Sequence, residues 1–200
     1  MTEPLRFDGK VMGGRITYQA NHWWLSVQVE IEVDQPASNE AVVGIDLGVK
    51  YLAVTSAGQV FDNPKALIKA QAKLRRLQRM LDRQQRANNP DNYNPDGTVK
   101  EGIKTWIKSQ NMKDTEAQIA KLHYRVACIR GEASHQMTTQ ITKQYGIIGI
   151  EDLNIRGMLK NGRLSKTISD AAFYEKRRQL EYKAGWNGGI VVPVSQWFPS

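Results

Sequence analysis

The sequence predicts an α/β chain: a mixed β-sheet covered by helices, preceded by a short β-region. Three observations carry that expectation. Residues 23–33 alternate apolar Leu25, Val27, Val29, Ile31 and Val33 with polar Ser26, Gln28, Glu30 and Glu32, the period-two pattern of a strand with one wet face. The segment "DQPASNE", residues 34–40, is polar and holds a proline, as a linker does. Beyond it the order reads strand, strand, strand, helices, strand, helix, strand, so three antiparallel strands are followed by helix-linked parallel ones.

The elements follow in order. Residues 10–18 form a first strand, "QANH" a turn, and residues 23–33 a second strand. Residues 42–47 and 51–55 are the next two strands; "SAGQ" is a hairpin turn, and Val60 and Phe61 open a short third strand. Pro64 starts a long helix to about Ala87, with Leu67, Ala70, Leu74, Leu77 and Leu81 at helical spacing. "NNPDNYNPDGT", residues 88–98, breaks it. A second long helix runs from about Thr105 or Lys108 to Tyr145, antiparallel to the first and weakened at Gly131. "GIIGIEDLNI" is a strand and a loop. "SDAAFYEKRRQLEYKAGWNG" is a helix started by Ser169 or Asp170 and stopped by Gly188 and Gly189. Residues 190–194 are a last strand, and Pro193 places it at an edge.

The chain has 200 residues and a formal net charge of +8, from 28 basic and 20 acidic side chains. That balance favours a polyanionic partner, nucleic acid above all. A single cysteine, Cys128, excludes a disulfide framework and a cysteine-based zinc site, so zinc is not expected. One cysteine also suits a reducing cytoplasm. No long apolar run is present, which argues against a membrane partner.

Two acids stand out. Val42, Gly44 and Asp46 share one strand face; Ile147, Gly149 and Glu151 share another. Each acid ends its strand and follows a glycine two residues back. Sites in open α/β sheets gather at the carboxyl ends of strands. If the two strands are neighbours, about 5 Å apart, the two carboxylates lie close together at one sheet end, and the glycines leave space beside them. Close carboxylates repel unless a hard cation such as Mg²⁺ or Mn²⁺ joins them. Two such ions support phosphodiester hydrolysis. The competing reading makes Asp46 a turn cap and Glu151 a surface ion-pair partner. Asp152 competes with Glu151, but its side chain points to the opposite face.

The first helix carries Lys73, Arg75, Arg76, Arg79 and Arg83 against one acid, Asp82, so i,i+4 ion pairs cannot absorb the charge. A phosphate backbone fits that face. Lys50, Arg156, Lys160 and Arg163 flank the two acids in sequence and could hold phosphates beside them. The tryptophans read as core, and the three histidines have no ligand-like spacing.

"GIDLGVKYLAVTSAG" and "GIEDLNIRGMLKNGRLSKTISDAAFYEKRRQLEYKA" resemble the first and second nuclease motifs of TnpB, the transposon-encoded RNA-guided nuclease related to type V CRISPR effectors. The resemblance runs from about residue 10 to the end. It implies a ribonuclease H-like, RuvC-like nuclease domain with Asp46 and Glu151 as two of three catalytic, metal-binding acids. It implies that residues 1–38 end a wedge β-domain and that residues 39–200 are a partial nuclease domain with a basic helical hairpin over about 64–145. Guide RNA and target DNA are the implied partners, and the prokaryotic cytoplasm the implied location. In the family, a segment like "WFPS" is followed by a four-cysteine zinc ribbon and the third aspartate. The sequence as given holds neither, so the chain reads as a middle fragment expected to bind Mg²⁺ weakly and cleave poorly by itself.

Three other readings compete. ATPases of the actin and sugar-kinase class also begin with "GIDLG", but place small hydroxyl residues where Val49 and Lys50 stand. A nucleic-acid-binding accessory or regulatory role without cleavage needs only the basic faces. A Holliday-junction resolvase shares the chemistry but not the preceding β-region.

Overall fold

The computed structural model describes residues 8–32, 39–103, 105–152 and 172–195. They divide into two compact units: Met1–Glu32 with Ala66–Cys128, and Val33–Lys65 with Ile129–Ser200.

In the first unit, β1 (Lys10–Gln19) and β2 (His22–Glu30) form an antiparallel hairpin. Its two-residue turn places Ala20 at φ 53° and Asn21 at φ 65°, the left-handed pair that matches strand twist. The alternating pattern predicts one buried face, but β1 is exposed throughout and only Val27 and Val29 of β2 are half-buried. A two-stranded ribbon has no second layer of its own to cover an apolar face. Trp24 finds an aromatic partner beyond the hairpin, the Tyr124 ring, 5.5 Å away between centroids.

Helix α1 (Ala66–Asn88) buries Ala66, Leu74 and Leu77. Helix α2 (Gln110–Gln144) runs unbroken through Gly131, so the expected weak point does not interrupt it. At 1.5 Å per residue it is about 50 Å long. Asn89, 5% exposed, ties the end of α1 to the connection that follows. Its Nδ2 donates to the Gln85 and Ile107 carbonyls at 3.0 Å each, and its Oδ1 accepts from the Ile107 amide at 2.7 Å. The turn-rich break predicted after α1 is therefore an ordered structure. It holds a 3-10 turn (Pro90–Asn92), a bridge between Tyr93 and Val99, and Gly97 at φ 81°.

The second unit holds a five-stranded sheet in the order β5-β4-β3-β6-β7. The strands are β3 (Val42–Asp46), β4 (Tyr51–Thr55), β5 (Val60–Asp62), β6 (Ile147–Glu151) and β7 (Ile190–Val194). β3, β4 and β5 are antiparallel neighbours; β3, β6 and β7 run parallel. This is the mixed sheet that the element order predicts. Pro193 sits on the edge strand β7, where its missing N–H breaks no ladder.

Val43, Ile45, Ile148 and Ile150 point to one sheet face and pack with Met137 and Ile141 of α2 and with Phe173, Leu180 and Ala184 of α3 (Phe173–Trp186). Ser169 and Asp170, the caps the sequence suggests for α3, lie outside the described residues; the helix starts at Phe173, with Ala172 at the N-cap position at φ 48° and no side-chain cap bond. Its end is as expected: Gly188 takes φ 72° and the Gly189 amide donates to the Ala184 carbonyl at 2.8 Å. No helix among the described residues is long and apolar enough to cross a membrane.

Candidate metal centre

The site is built by the register of two parallel strands. Val42, Val43, Gly44 and Ile45 face Ile147, Ile148, Gly149 and Ile150 in turn. One step further, at the carboxyl ends of β3 and β6, stand Asp46 and Glu151. Neighbouring strands lie about 4.8 Å apart. Because Val43, Ile45, Ile148 and Ile150 enter the core, Asp46 and Glu151 must leave from the opposite face, and both are exposed there. Asp46 is paired with Val54 on one side, and Glu151 with Val194 on the other.

The glycines behind the acids keep the approach open. A Cβ at Gly44 would meet nothing nearer than Ser56 at 3.8 Å. One at Gly149 would meet the Val194 side chain at 3.6 Å. Gly44 is fixed by Ser56, whose Oγ accepts from its amide at 3.0 Å.

Among the described residues, neither carboxylate takes part in a hydrogen bond or ion pair. The turn-cap and surface-pair alternative for these acids therefore has no support there. Two free oxygen donors on one face suit a hard cation such as Mg²⁺ or Mn²⁺. Among the described residues, no third His, Cys, Asp or Glu joins them into a metal-binding group.

Asp152 takes a different role from its neighbour. Its amide donates to the Val194 carbonyl at 2.8 Å, and its Oδ1 accepts from Arg177 Nη1 at 2.8 Å. Arg177 also donates through Nε to Glu181 Oε1 at 2.9 Å. The i,i+4 pair of Arg177 and Glu181 is visible in sequence; the partner 25 positions away is not.

The basic candidates separate into three groups. Lys50 is exposed in the turn after Asp46, its Nζ 5.1 Å from the Tyr51 ring centroid. Lys73, Arg75, Arg76, Arg79 and Arg83 are all exposed on α1, in the first unit. Arg75, Arg76, Arg79 and Arg83 line an open groove of about 620 Å³ with Ala72 and Asp82. Asp82 is taken by Arg86, 3.3 Å away, and Arg86 also covers the Tyr93 ring. Arg156, Lys160 and Arg163 lie outside the described residues.

Two lysines that the sequence reading passed over are buried in α3. Lys176, 1% exposed, donates to the Leu52 carbonyl at 3.0 Å, and burial lowers its pKa to about 8. Lys183 is satisfied by the His135 carbonyl and the Thr138 and Thr139 hydroxyls, at 2.7–2.8 Å. Their ammonium groups are held by backbone carbonyls and hydroxyls, and both read as structural.

Comparison with known proteins adds the family. The family model OrfB_IS605, described as "Probable transposase", matches residues 26–162. A relative from Escherichia coli K12, named "Putative RNA-guided DNA endonuclease InsQ", is 34% identical over 96% of this chain and 46% of its own length. A Streptomyces pristinaespiralis protein named "Putative RNA-guided DNA endonuclease" is 32% identical over 91% of this chain and 40% of its own. The chain thus spans less than half the length of either relative. A Cas12f1–sgRNA–target DNA complex aligns over 86% of this chain and 32% of that one, at 16% identity and a TM-score of 0.47, too low to bear on the fold. With the family model covering well over half of its residues, this chain belongs to the OrfB_IS605 transposase family, the TnpB family that its two motifs resemble.

Proposed function

We propose that this chain is part of an RNA-guided DNA endonuclease of transposon origin, and that Asp46 and Glu151 are two of its catalytic carboxylates on a ribonuclease H-like, RuvC-like sheet. The observation that carries the reading is the parallel register of β3 and β6, which brings both acids to one sheet end and one face. The names of the relatives support the activity.

A bound Mg²⁺ or Mn²⁺ pair would supply water activation and leaving-oxygen stabilisation for phosphodiester hydrolysis. The chain's own residues do the rest. Asp46 and Glu151 present oxygen ligands, and Gly44 and Gly149 leave room for a sugar–phosphate backbone. Lys50 adds positive charge where a phosphate would approach. The α1 residues Lys73, Arg75, Arg76, Arg79 and Arg83 bind the backbones of guide RNA and target DNA by charge and shape.

Two carboxylates hold a divalent ion weakly, so these residues by themselves bind Mg²⁺ weakly and support little cleavage. The test is Mn²⁺ or Mg²⁺ titration together with cleavage of single-stranded DNA, in the native chain and in Asp46→Ala. Metal binding lost in the variant supports the reading. Robust metal-dependent nicking by the native chain, lost in Asp46→Ala, overturns the expected low activity. A second reading, nucleic-acid binding without cleavage, is favoured by the absence of a third ligand among the described residues. Tight RNA binding with no metal binding would establish it.

A further inference from the structure

We propose that Arg177 is a positioning residue for the candidate metal centre: by holding Asp152 on the helix side of the sheet, it commits Glu151 to the face it shares with Asp46. The inference rests on the reading of Asp46 and Glu151 as metal ligands.

Glu151 and Asp152 are consecutive acids at the end of a strand. Consecutive residues of an extended chain point to opposite faces, so only one of the two can stand beside Asp46. β6 ends at Glu151, and Asp152 is the first residue beyond it. A one-residue slip at this end would exchange the two acids.

Two contacts prevent the exchange. The Asp152 amide bonds the Val194 carbonyl and extends the β6–β7 ladder one residue past the strand. The Asp152 carboxylate bonds Arg177 Nη1. Arg177 is itself braced by Glu181 and stands on the first turns of α3. That helix packs through Phe173, Leu180 and Ala184 on the sheet face built by Ile148 and Ile150. The Asp152 carboxylate is thereby drawn to the helix side, and Glu151 is left on the other.

Such a pair does little for global stability. The Arg177 and Asp152 side chains are 35% and 61% exposed, and pairs that open to water contribute little. Its effect belongs in ligand geometry. The sign of the effect distinguishes positioning from simple charge: removing a cation near two carboxylates should by Coulomb attraction strengthen metal binding, whereas loss of positioning weakens it.

The experiment is Mn²⁺ titration of the 200-residue chain, read by electron paramagnetic resonance, with thermal unfolding in parallel. Arg177→Ala should bind Mn²⁺ about fivefold more weakly, below the roughly ten- to hundredfold effect of partners bonded directly to a ligand. Its unfolding midpoint should stay nearly unchanged. Arg177→Lys, which keeps the charge and one donor, should recover part of the loss. In an Asp152→Asn background, Arg177→Ala should have little further effect, because the two residues act through one contact. Unchanged or tighter Mn²⁺ binding by Arg177→Ala, alongside loss of binding in Asp46→Ala, overturns the positioning role. Unchanged binding in both Asp46→Ala and Glu151→Ala overturns the metal-centre reading itself.

Discussion

Ile45 faces Ile150 across the parallel β3–β6 pair, and this one register step places Asp46 and Glu151 side by side. The same pleat that sinks the two isoleucines into the core turns the acids outward. Core packing thus sets the geometry of the candidate site: a register slip would expose Ile45 or Ile150 and carry one acid into the core.

The first prediction follows from that division. Asp46→Ala and Glu151→Ala remove exposed side chains that make no hydrogen bond or ion pair among the described residues. Each should change unfolding free energy by no more than about 0.5 kcal/mol, while Mn²⁺ binding falls below detection. Ile150→Ala should do the reverse at first order, costing about 2–5 kcal/mol through the cavity it leaves. Chemical denaturation and metal titration of the three variants separate the two roles.

How much of this was legible in sequence differs by element. Asp46 and Glu151 stand out in the sequence because strand periodicity is local and a charge ending an apolar run is conspicuous. Their proximity was not local: it required β3 and β6 to be neighbours, which the helix-linked order suggested and the sheet order shows. The two strands of the first hairpin and their turn are legible in the sequence, but their exposure is not, because alternation reports which face is apolar, not whether anything covers it. The buried lysines were missed because Lys176 and Lys183 look in sequence like any charge on a basic helix. Only the packing of α3 shows that these positions point inward.

The second prediction concerns α1. Arg75, Arg79 and Arg83 recur every four residues, about 6 Å apart along the helix. Combined replacement of these three by Gln should weaken RNA binding roughly tenfold or more near physiological salt. It should also reduce the slope of log K against log salt by up to about 3, one per lost phosphate contact. Arg86→Gln should have a smaller effect, because Asp82 and the Tyr93 ring already occupy that guanidinium. Fluorescence anisotropy with a labelled RNA across salt concentrations reads both quantities.

The third prediction tests the Asn89 clamp. Its amide makes three hydrogen bonds to backbone groups and is almost wholly buried. Asn89→Ala should cost about 1–3 kcal/mol, since the Ile107 amide and carbonyl lose their side-chain partner. Hydrogen exchange should rise at Ile107 before it rises in the five-stranded sheet.

The last prediction concerns Lys176, whose ammonium is buried against the Leu52 carbonyl and the Phe173 ring. Burial lowers its pKa from 10.5 to about 8. Between those values the unfolded chain binds more protons than the folded one, so stability rises with pH across that window. Below about pH 8 both states are protonated and the penalty is fully present. A shift of this size corresponds to about 3 kcal/mol. Lys176→Met keeps most of the length and removes the charge, but leaves the Leu52 carbonyl without its donor, at a cost of about 1 kcal/mol. The variant should therefore be about 1–2 kcal/mol more stable at pH 7, and should lose the rise in stability between pH 8 and 10.5. Urea unfolding at pH 7 and pH 10 measures both. Equal pH dependence in the two proteins would mean that this lysine reaches water in the folded chain.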